Sequence, residues 1–392
     1  MVSYISADYI YTIIGPPIKN GVIGLDADRT IVEILTAEEA IEKQHLDIKK
    51  YHGIIIPGFV NTHCHLELSN LRGRIPKHTG LPAFVQEVMK LRITDEYELD
   101  SAMMRADREM FACGIVAVGD ISNQISSRIT KRGSLIHYHT FVETIGFNPE
   151  TYQSAFGRSL ALKKEFSPLP ASLTPHAPYS VSTPLFQALK LRAEEEDAIV
   201  SIHNQECEDE NAFFEGKKGK FLDLYATLGL DIDFFEPSGK TSLQSYLPLL
   251  SKQQRTLLVH NTFSAKEDVQ FATQAHEKLY WCLCPNANLY IENKLPDVPM
   301  LMQEGVKITL GTDSLASNDE LSIFSEMMTL QDSFAVAVGE LLKWATLNGA
   351  EYLGIDDRFG SLEIGKRPGI NLLTFEEKNG KISLLGFGRR LY

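Results

Sequence analysis

The chain has 392 residues, enough to bury a large core as one big domain with an appendage or as two ordinary domains, which excludes a small stapled or collagen-like protein. Its formal charge of −13 meets no basic block, so a nucleic-acid or anionic-membrane surface is not expected, and the acidity is read as solubility. Cysteines at 64, 113, 207, 282 and 284 lack framework spacing, no charged-then-apolar leader opens the chain, and no apolar stretch approaches the roughly 18 residues of a membrane span, so a reducing cytoplasm is the expected setting.

Residues 1–55 read as short strands between turns: Ser3 to Ile13, a Gly15-Pro16-Pro17 break, Val22 to Leu25, an Asp26-Ala27-Asp28 turn, and Thr30 to Leu35. From there, apolar strand-like runs alternate with helical stretches. The strand candidates are Ile54 to Val60, Ile115 to Asp120, Ile136 to Glu143, Ala171 to Pro175, Ala198 to His203, Thr256 to His260, Leu279 to Leu283 and Val306 to Gly311. Ala83 to Leu91, Asp95 to Ala112, Pro184 to Glu195 and Asp268 to His276 have helix composition. At the C-terminal end, Gly369 to Phe375 and Lys381 to Gly386 are strands around a Glu376 to Gly380 turn. The expectation is an α/β fold: a (β/α)8 TIM-type barrel over residues 56–355, with a small β-sandwich formed by residues 1–55 and 356–392.

Polar residues gather where the candidate strands end, the face on which barrels build their sites. The run Pro57-Gly58-Phe59-Val60-Asn61-Thr62-His63-Cys64-His65 places two imidazoles two residues apart. In a strand, residues i and i+2 share a face, so His63 and His65 grip one metal while Cys64 turns away. His203 ends the fifth candidate strand, His260 the sixth, and Asp313 follows the eighth. His63, His65, His203 and Asp313 suit zinc or a similar divalent ion with a water in the open position. Glu206, three residues after His203, is placed to shuttle a proton, and His260 to orient the water, so Glu206, His260 and Asp313 are the expected catalytic residues.

Each motif alone is weak. His137 and His139 repeat the His-x-His spacing inside their strand and are read as structural, and Gly311-Thr312-Asp313 taken alone is also an ordinary strand-to-helix cap. It is the recurrence of such residues at successive strand ends that supports a site. His176, held between Pro175 and Pro178, is weighed as a substrate contact against a structural role, and Glu67 as a substrate hydrogen-bonding group against a solvated loop carboxylate. Cys282 and Cys284 are assigned no chemistry.

Taken together, these motifs resemble the amidohydrolase superfamily, in its mononuclear aminohydrolase branch of guanine, cytosine and adenosylhomocysteine-type deaminases and triazine hydrolases. The elements that carry the resemblance are Pro57 to His65, Thr174-Pro175-His176-Ala177-Pro178-Tyr179-Ser180, His203-Asn204-Gln205-Glu206, Val259-His260-Asn261, Cys284-Pro285, Leu310-Gly311-Thr312-Asp313-Ser314 and Phe359 to Lys366. The resemblance implies a metal-dependent barrel with a split β-sandwich. It also implies one metal ion, zinc first and iron second, because Ala171 to Ser180 lacks the lysine with which binuclear members bridge two metals.

Within the branch, His65-Leu66-Glu67-Leu68-Ser69, Leu71-Arg72-Gly73 and Gly311 to Asn318 are most similar to aminodeoxyfutalosine deaminases, which act on an adenine nucleoside bearing a carboxyaryl substituent. Relatives commonly show Pro-x-Ser-Asn where this chain has Pro285-Asn286-Ala287-Asn288, a departure that bears on the substrate. The expected function is metal-dependent hydrolytic deamination of an amino-substituted heteroaromatic ring, an adenine-type nucleoside such as aminodeoxyfutalosine. The alternatives are a hydrolase of the same architecture acting on C–Cl, substituted-amine or cyclic-amide bonds, and a non-catalytic relative that binds a small molecule. The expected partner is a small-molecule substrate, with no nucleic acid and no membrane, and the resemblance leaves a homo-oligomer open.

Overall fold

The computed structural model describes residues 2–43, 46–92 and 95–392. Two four-stranded parallel sheets make the barrel. The first contains β1 (Phe59–Cys64), β2 (Ile115–Ser122), β3 (His137–Thr144) and β4 (Ala171–Pro175), paired in sequence order. The second contains β5 (Val200–Asn204), β6 (Thr256–His260), β7 (Leu279–Leu283) and β8 (Ile308–Leu310). Most of their residues are buried, as parallel strands covered on both faces require. Backbone bonds join the sheets at both seams. His203 N donates to His176 O at 3.0 Å, and Thr312 N and Asp313 N both donate to His63 O, at 3.0 and 3.1 Å. The result is the TIM-type barrel that the alternating pattern implies.

The strand candidate Ile54 to Val60 is in fact two strands. Ile54–Pro57 joins a five-stranded sheet with Tyr9–Ile10, Ile18–Lys19, Ile370–Lys378 and Lys381–Arg390, whereas β1 begins at Phe59. Gly58 is the break: a Cβ there would lie 2.8 Å from Pro368 O and closer still to Val116. A second sheet, of Ser3–Ser6, Val22–Leu25, Ile31–Leu35 and Ile48–Lys50, completes the terminal β-structure. Strands from the two ends of the chain therefore pair with each other, Ile370 opposite Pro57 and Leu373 opposite Ile54.

Helices cover the barrel. α1 (Leu81–Leu91) follows β1, and α2 (Glu96–Ala112) starts where the Asp95 side chain accepts hydrogen bonds from Tyr97 N and Glu98 N. α3 (Arg128–Gly133), α4 (Phe221–Thr227), α5 (Lys266–Ala275), α6 (Pro285–Glu292) and α7 (Ile323–Ser333) follow, among others. Among the described residues no helix is long and apolar enough to cross a membrane.

α3 supplies an unusual core residue. Lys131 Nζ lies 2.7 Å from Asp120 Oδ2 with both side chains fully buried, and it donates to Ser122 Oγ at 2.8 Å and Thr140 Oγ1 at 3.0 Å. The other Asp120 oxygen accepts from Leu66 N at 2.8 Å, so this ion pair holds the turn that directly follows His65. Removing one partner leaves the other charged and uncompensated. Lys131→Met is expected to lower stability by about 3–5 kcal/mol in chemical denaturation, and the double variant with Asp120→Asn by less than the sum of the two.

Candidate active site

The site forms where the barrel strands end. A bulge in β1 between Asn61 and Cys64 shifts its phase, so that Cys64 packs between barrel and helices while His63 and His65 face inward. Their Nε2 atoms lie 3.2 Å apart, and His65 Nε2 lies 3.3 Å from His203 Nε2. Asp313 Oδ1 lies 3.6 Å from His63 Nε2 and 3.5 Å from His65 Nε2. At three strand ends the chain turns through left-handed backbone at residues other than glycine: Gln205 (φ 45°), His260 (φ 77°) with Asn261 (φ 59°), and Asp313 (φ 53°). Such conformations are strained and re-aim side chains where a site needs them.

Hydrogen bonds behind these groups fix their orientation. His203 Nδ1 donates to His176 O at 2.8 Å, which leaves the Nε2 lone pair facing the other donors. Asp313 Oδ2 accepts from Ser317 Oγ at 2.6 Å, leaving Oδ1 for the center of the site. Donors on a tetrahedral ion at bond lengths of about 2.0–2.1 Å are separated by about 3.3–3.4 Å, close to the spacings seen among His63, His65, His203 and Asp313. Imidazole lone pairs this close repel one another unless a cation or a proton lies between them. This donor set suits a divalent metal ion.

Electrostatics separates the two carboxyls beside them. Burial alone would push Asp313 up, but His63, His65 and His260 around it hold it well below the usual carboxylate range. Burial, and then the charge of Asp313, push Glu206 well above that range. Burial also lowers His203 to about 3 and His260 to about 4, which keeps both imidazoles neutral. Glu206 Oε1 lies 3.5 Å from His260 Nε2.

A cavity of about 480 Å³ opens onto these groups. Leu68, Phe84, Val85, Val88, Tyr225 and Leu228 form an apolar collar, carried mainly by α1 and α4 and the residue after it. Along one side runs a polar strip that sequence reasoning did not single out. Arg92 Nη2 donates to Asn123 Oδ1 at 3.0 Å, and Asn123 Nδ2 donates to Glu143 Oε2 at 2.8 Å. These residues sit on three separate segments, so no spacing in the sequence signals the strip.

The other expected site residues are placed as follows. His176 lines the cavity, its Nδ1 2.7 Å from Ser180 Oγ. Glu67 does not line it: its buried carboxylate accepts from Asn123 N at 2.9 Å, Gln124 N at 3.1 Å and Ser127 Oγ at 3.3 Å. Its place is behind the strip, holding Asn123, because two backbone donors of the loop after β2 already occupy it. His137 opens β3 at the far end of the barrel, and His139 lies 3.0 Å from Ser172 Oγ. Ala287, in the Pro285-Asn286-Ala287-Asn288 run, is fully buried in an apolar cluster with Val60 and Cys282, away from the cavity lining.

The pattern of conserved positions that defines the amidohydrolase family matches residues 54–386 of this chain. The chain belongs to the amidohydrolase family. As an amidohydrolase it is an enzyme that hydrolyzes carbon–nitrogen bonds outside peptides. It is 25% identical over 368 residues to an adenosine deaminase of Helicobacter pylori, covering 91% of this chain and 88% of the relative. A crystal structure of Helicobacter pylori aminofutalosine deaminase with methylthio-coformycin superposes with a TM-score of 0.80 at 23% identity, covering 100% of both chains. An adenosine deaminase from Xanthomonas campestris with bound zinc superposes with a TM-score of 0.72 at 22% identity, covering 94% of this chain and 84% of the other.

Two measurements check this amidohydrolase site. Elemental analysis is expected to find about one equivalent of divalent metal per chain, and well under one in Asp313→Ala or His203→Ala; two per chain would refute the single-ion site. Glu326, on α7, accepts from Asn286 N at 2.9 Å and Asn318 Nδ2 at 2.8 Å, behind α6, which carries Asn288, and the loop that carries Asp313. Burial pushes its carboxyl from 4.5 up to about 8. The folded state thus binds this proton more tightly than the unfolded one, so stability falls as pH rises from about 4.5 to about 8 and then levels. Glu326→Gln is expected to make a plot of Tm against pH less steep over this range, the remainder of the slope coming from Glu67 and Glu210, which burial raises to about 7.

Proposed function

We propose that this amidohydrolase deaminates an adenine-type nucleoside at the carbon bearing the exocyclic amine. The observation that carries the reading is geometric: the donors of His63, His65, His203 and Asp313 converge at a cavity that Glu206 and His260 also line, with Glu206 Oε1 3.5 Å from His260 Nε2. A divalent ion held by His63, His65, His203 and Asp313 would acidify a water from a pKa of about 15.7 toward about 7, supplying the nucleophile at neutral pH.

The residues of the chain do the rest. Protonated Glu206 delivers its proton to the ring nitrogen next to the attacked carbon, cancelling the charge that would build there. His260 orients the water, and Asp313 takes a proton from it and hands it to the departing amine, which leaves as ammonia. As the carbonyl of the product forms, its hydroxyl proton returns to Glu206, and both carboxyls regain their starting states.

The cavity and the named relatives support an adenine-type nucleoside as the substrate. The Arg92–Asn123–Glu143 strip offers donors and acceptors to sugar hydroxyls, and the collar offers an apolar bed for a substituent beyond the sugar. A nucleoside with an apolar aromatic arm matches both, and aminodeoxyfutalosine, whose aryl carboxylate would have Arg92 within the same cavity, is the specific candidate.

Glu206→Gln is expected to lower kcat for ammonia release by about 10²–10⁴-fold while the metal content stays unchanged. Turnover close to that of the unaltered enzyme would remove Glu206 from the mechanism. A substrate panel of adenosine, methylthioadenosine, aminodeoxyfutalosine, guanine and chlorinated triazines tests the substrate class. Ammonia is expected from the adenine nucleosides, and chloride release from the triazines alone would reassign the enzyme to halide displacement.

A further inference from the structure

Asn288 is a costly residue for its position. It lies in the interior of α6, where asparagine is a poor helix former, and it is almost fully buried, where each polar group needs a partner. Both of its partners belong to the end of β6. Its Nδ2 donates to Thr262 Oγ1 at 2.8 Å, and its Oδ1 lies 2.8 Å from His260 Nδ1. Once Nδ2 is committed to Thr262, the carbonyl is the group turned toward the imidazole, so Nδ1 must be the nitrogen that carries hydrogen.

The other nitrogen of His260 shows the complement. Nε2 is buried and has no hydrogen-bond partner among the described residues. It lies on the cavity side of the ring, 3.5 Å from Glu206 Oε1 and within reach of the nitrogens of His63 and His203. The ring is stacked on that of His203 at 5.6 Å, and the left-handed backbone at His260 aims it inward.

We propose that Asn288 is a positioning residue: by holding the His260 proton on Nδ1, it presents Nε2 to the reacting water as a hydrogen-bond acceptor. The opposite tautomer would present an N–H there, a donor facing a water that must itself give up a proton. The assignment of the tautomer stands on the geometry alone, and only its effect on rate rests on the deamination reading.

The test uses the full-length, metal-loaded enzyme and the variants Asn288→Leu and Asn288→Asp. Long-range ¹⁵N NMR of histidine-labeled protein reads which ring nitrogen of His260 is protonated, with His260→Gln used for assignment. The expected result is protonation on Nδ1 in the unaltered enzyme and loss of that preference in Asn288→Leu. With an adenine nucleoside, Asn288→Leu is expected to lower kcat by about 10²–10³-fold with KM within about threefold, and Asn288→Asp, which keeps the acceptor, to recover to within about tenfold of the unaltered enzyme.

A proton on Nε2 in the unaltered enzyme overturns the proposal. So does an unchanged kcat in Asn288→Leu, or equal impairment of the leucine and aspartate variants. If Asn288→Leu does not fold, the NMR of the unaltered enzyme and the kinetics of Asn288→Asp decide. Protonation on Nδ1 in an enzyme that deaminates no adenine nucleoside supports the proposal and refutes the functional reading instead.

Discussion

The backbone carbonyl of His63 ties the first barrel strand to the segment that follows the last. It accepts from Thr312 N and Asp313 N, while the Asn61 side chain donates to Thr312 Oγ1 at 2.8 Å and accepts from Thr312 N at 3.2 Å. The residue that offers one metal donor through its ring thereby positions another, Asp313, through its backbone. The donors come together only when the first and last strands meet, so closure of the barrel and assembly of the metal cradle are one event. Binding energy at such a site adds directly to folding.

Within that frame, low dielectric does the chemical sorting. Asp313 and Glu206 are both carboxyls, both buried, and both face the same cavity. The imidazoles around Asp313 pull its carboxyl down against the effect of burial, whereas burial, and then the Asp313 charge, push Glu206 up. Neither shift is intrinsic to the side chain. Each is set by its neighbors, which is how one fold holds an acid and a base at the same pH.

Much of this was legible in the sequence, for stateable reasons. The alternation of apolar runs with helical stretches marked the barrel, and the period of two in a strand put His63 and His65 on one face with Cys64 turned away. What the sequence hid was three-dimensional. The break at Gly58 arises from crowding by Val116 and Pro368, residues far away along the chain. Glu67 sits next to the histidine pair in sequence, yet the backbone amides of Asn123 and Gln124 claim its carboxylate. Arg92, Asn123 and Glu143 meet across segments that share no motif. In the Pro285-Asn286-Ala287-Asn288 run, Ala287 falls in the core and Asn288 is the residue touching His260, which spacing alone does not reveal.

The separation between cradle and collar has an evolutionary consequence. His63, His65, His203, Glu206, His260 and Asp313 stand on or just past strand ends, fixed by the barrel, while the apolar walls belong largely to α1 and α4 in the connecting segments. Selection can therefore exchange the walls through loop insertions or helix substitutions and leave the reaction intact. Substrate range in such a scaffold drifts faster than chemistry, and two amidohydrolases with the same inner residues need not share a metabolite.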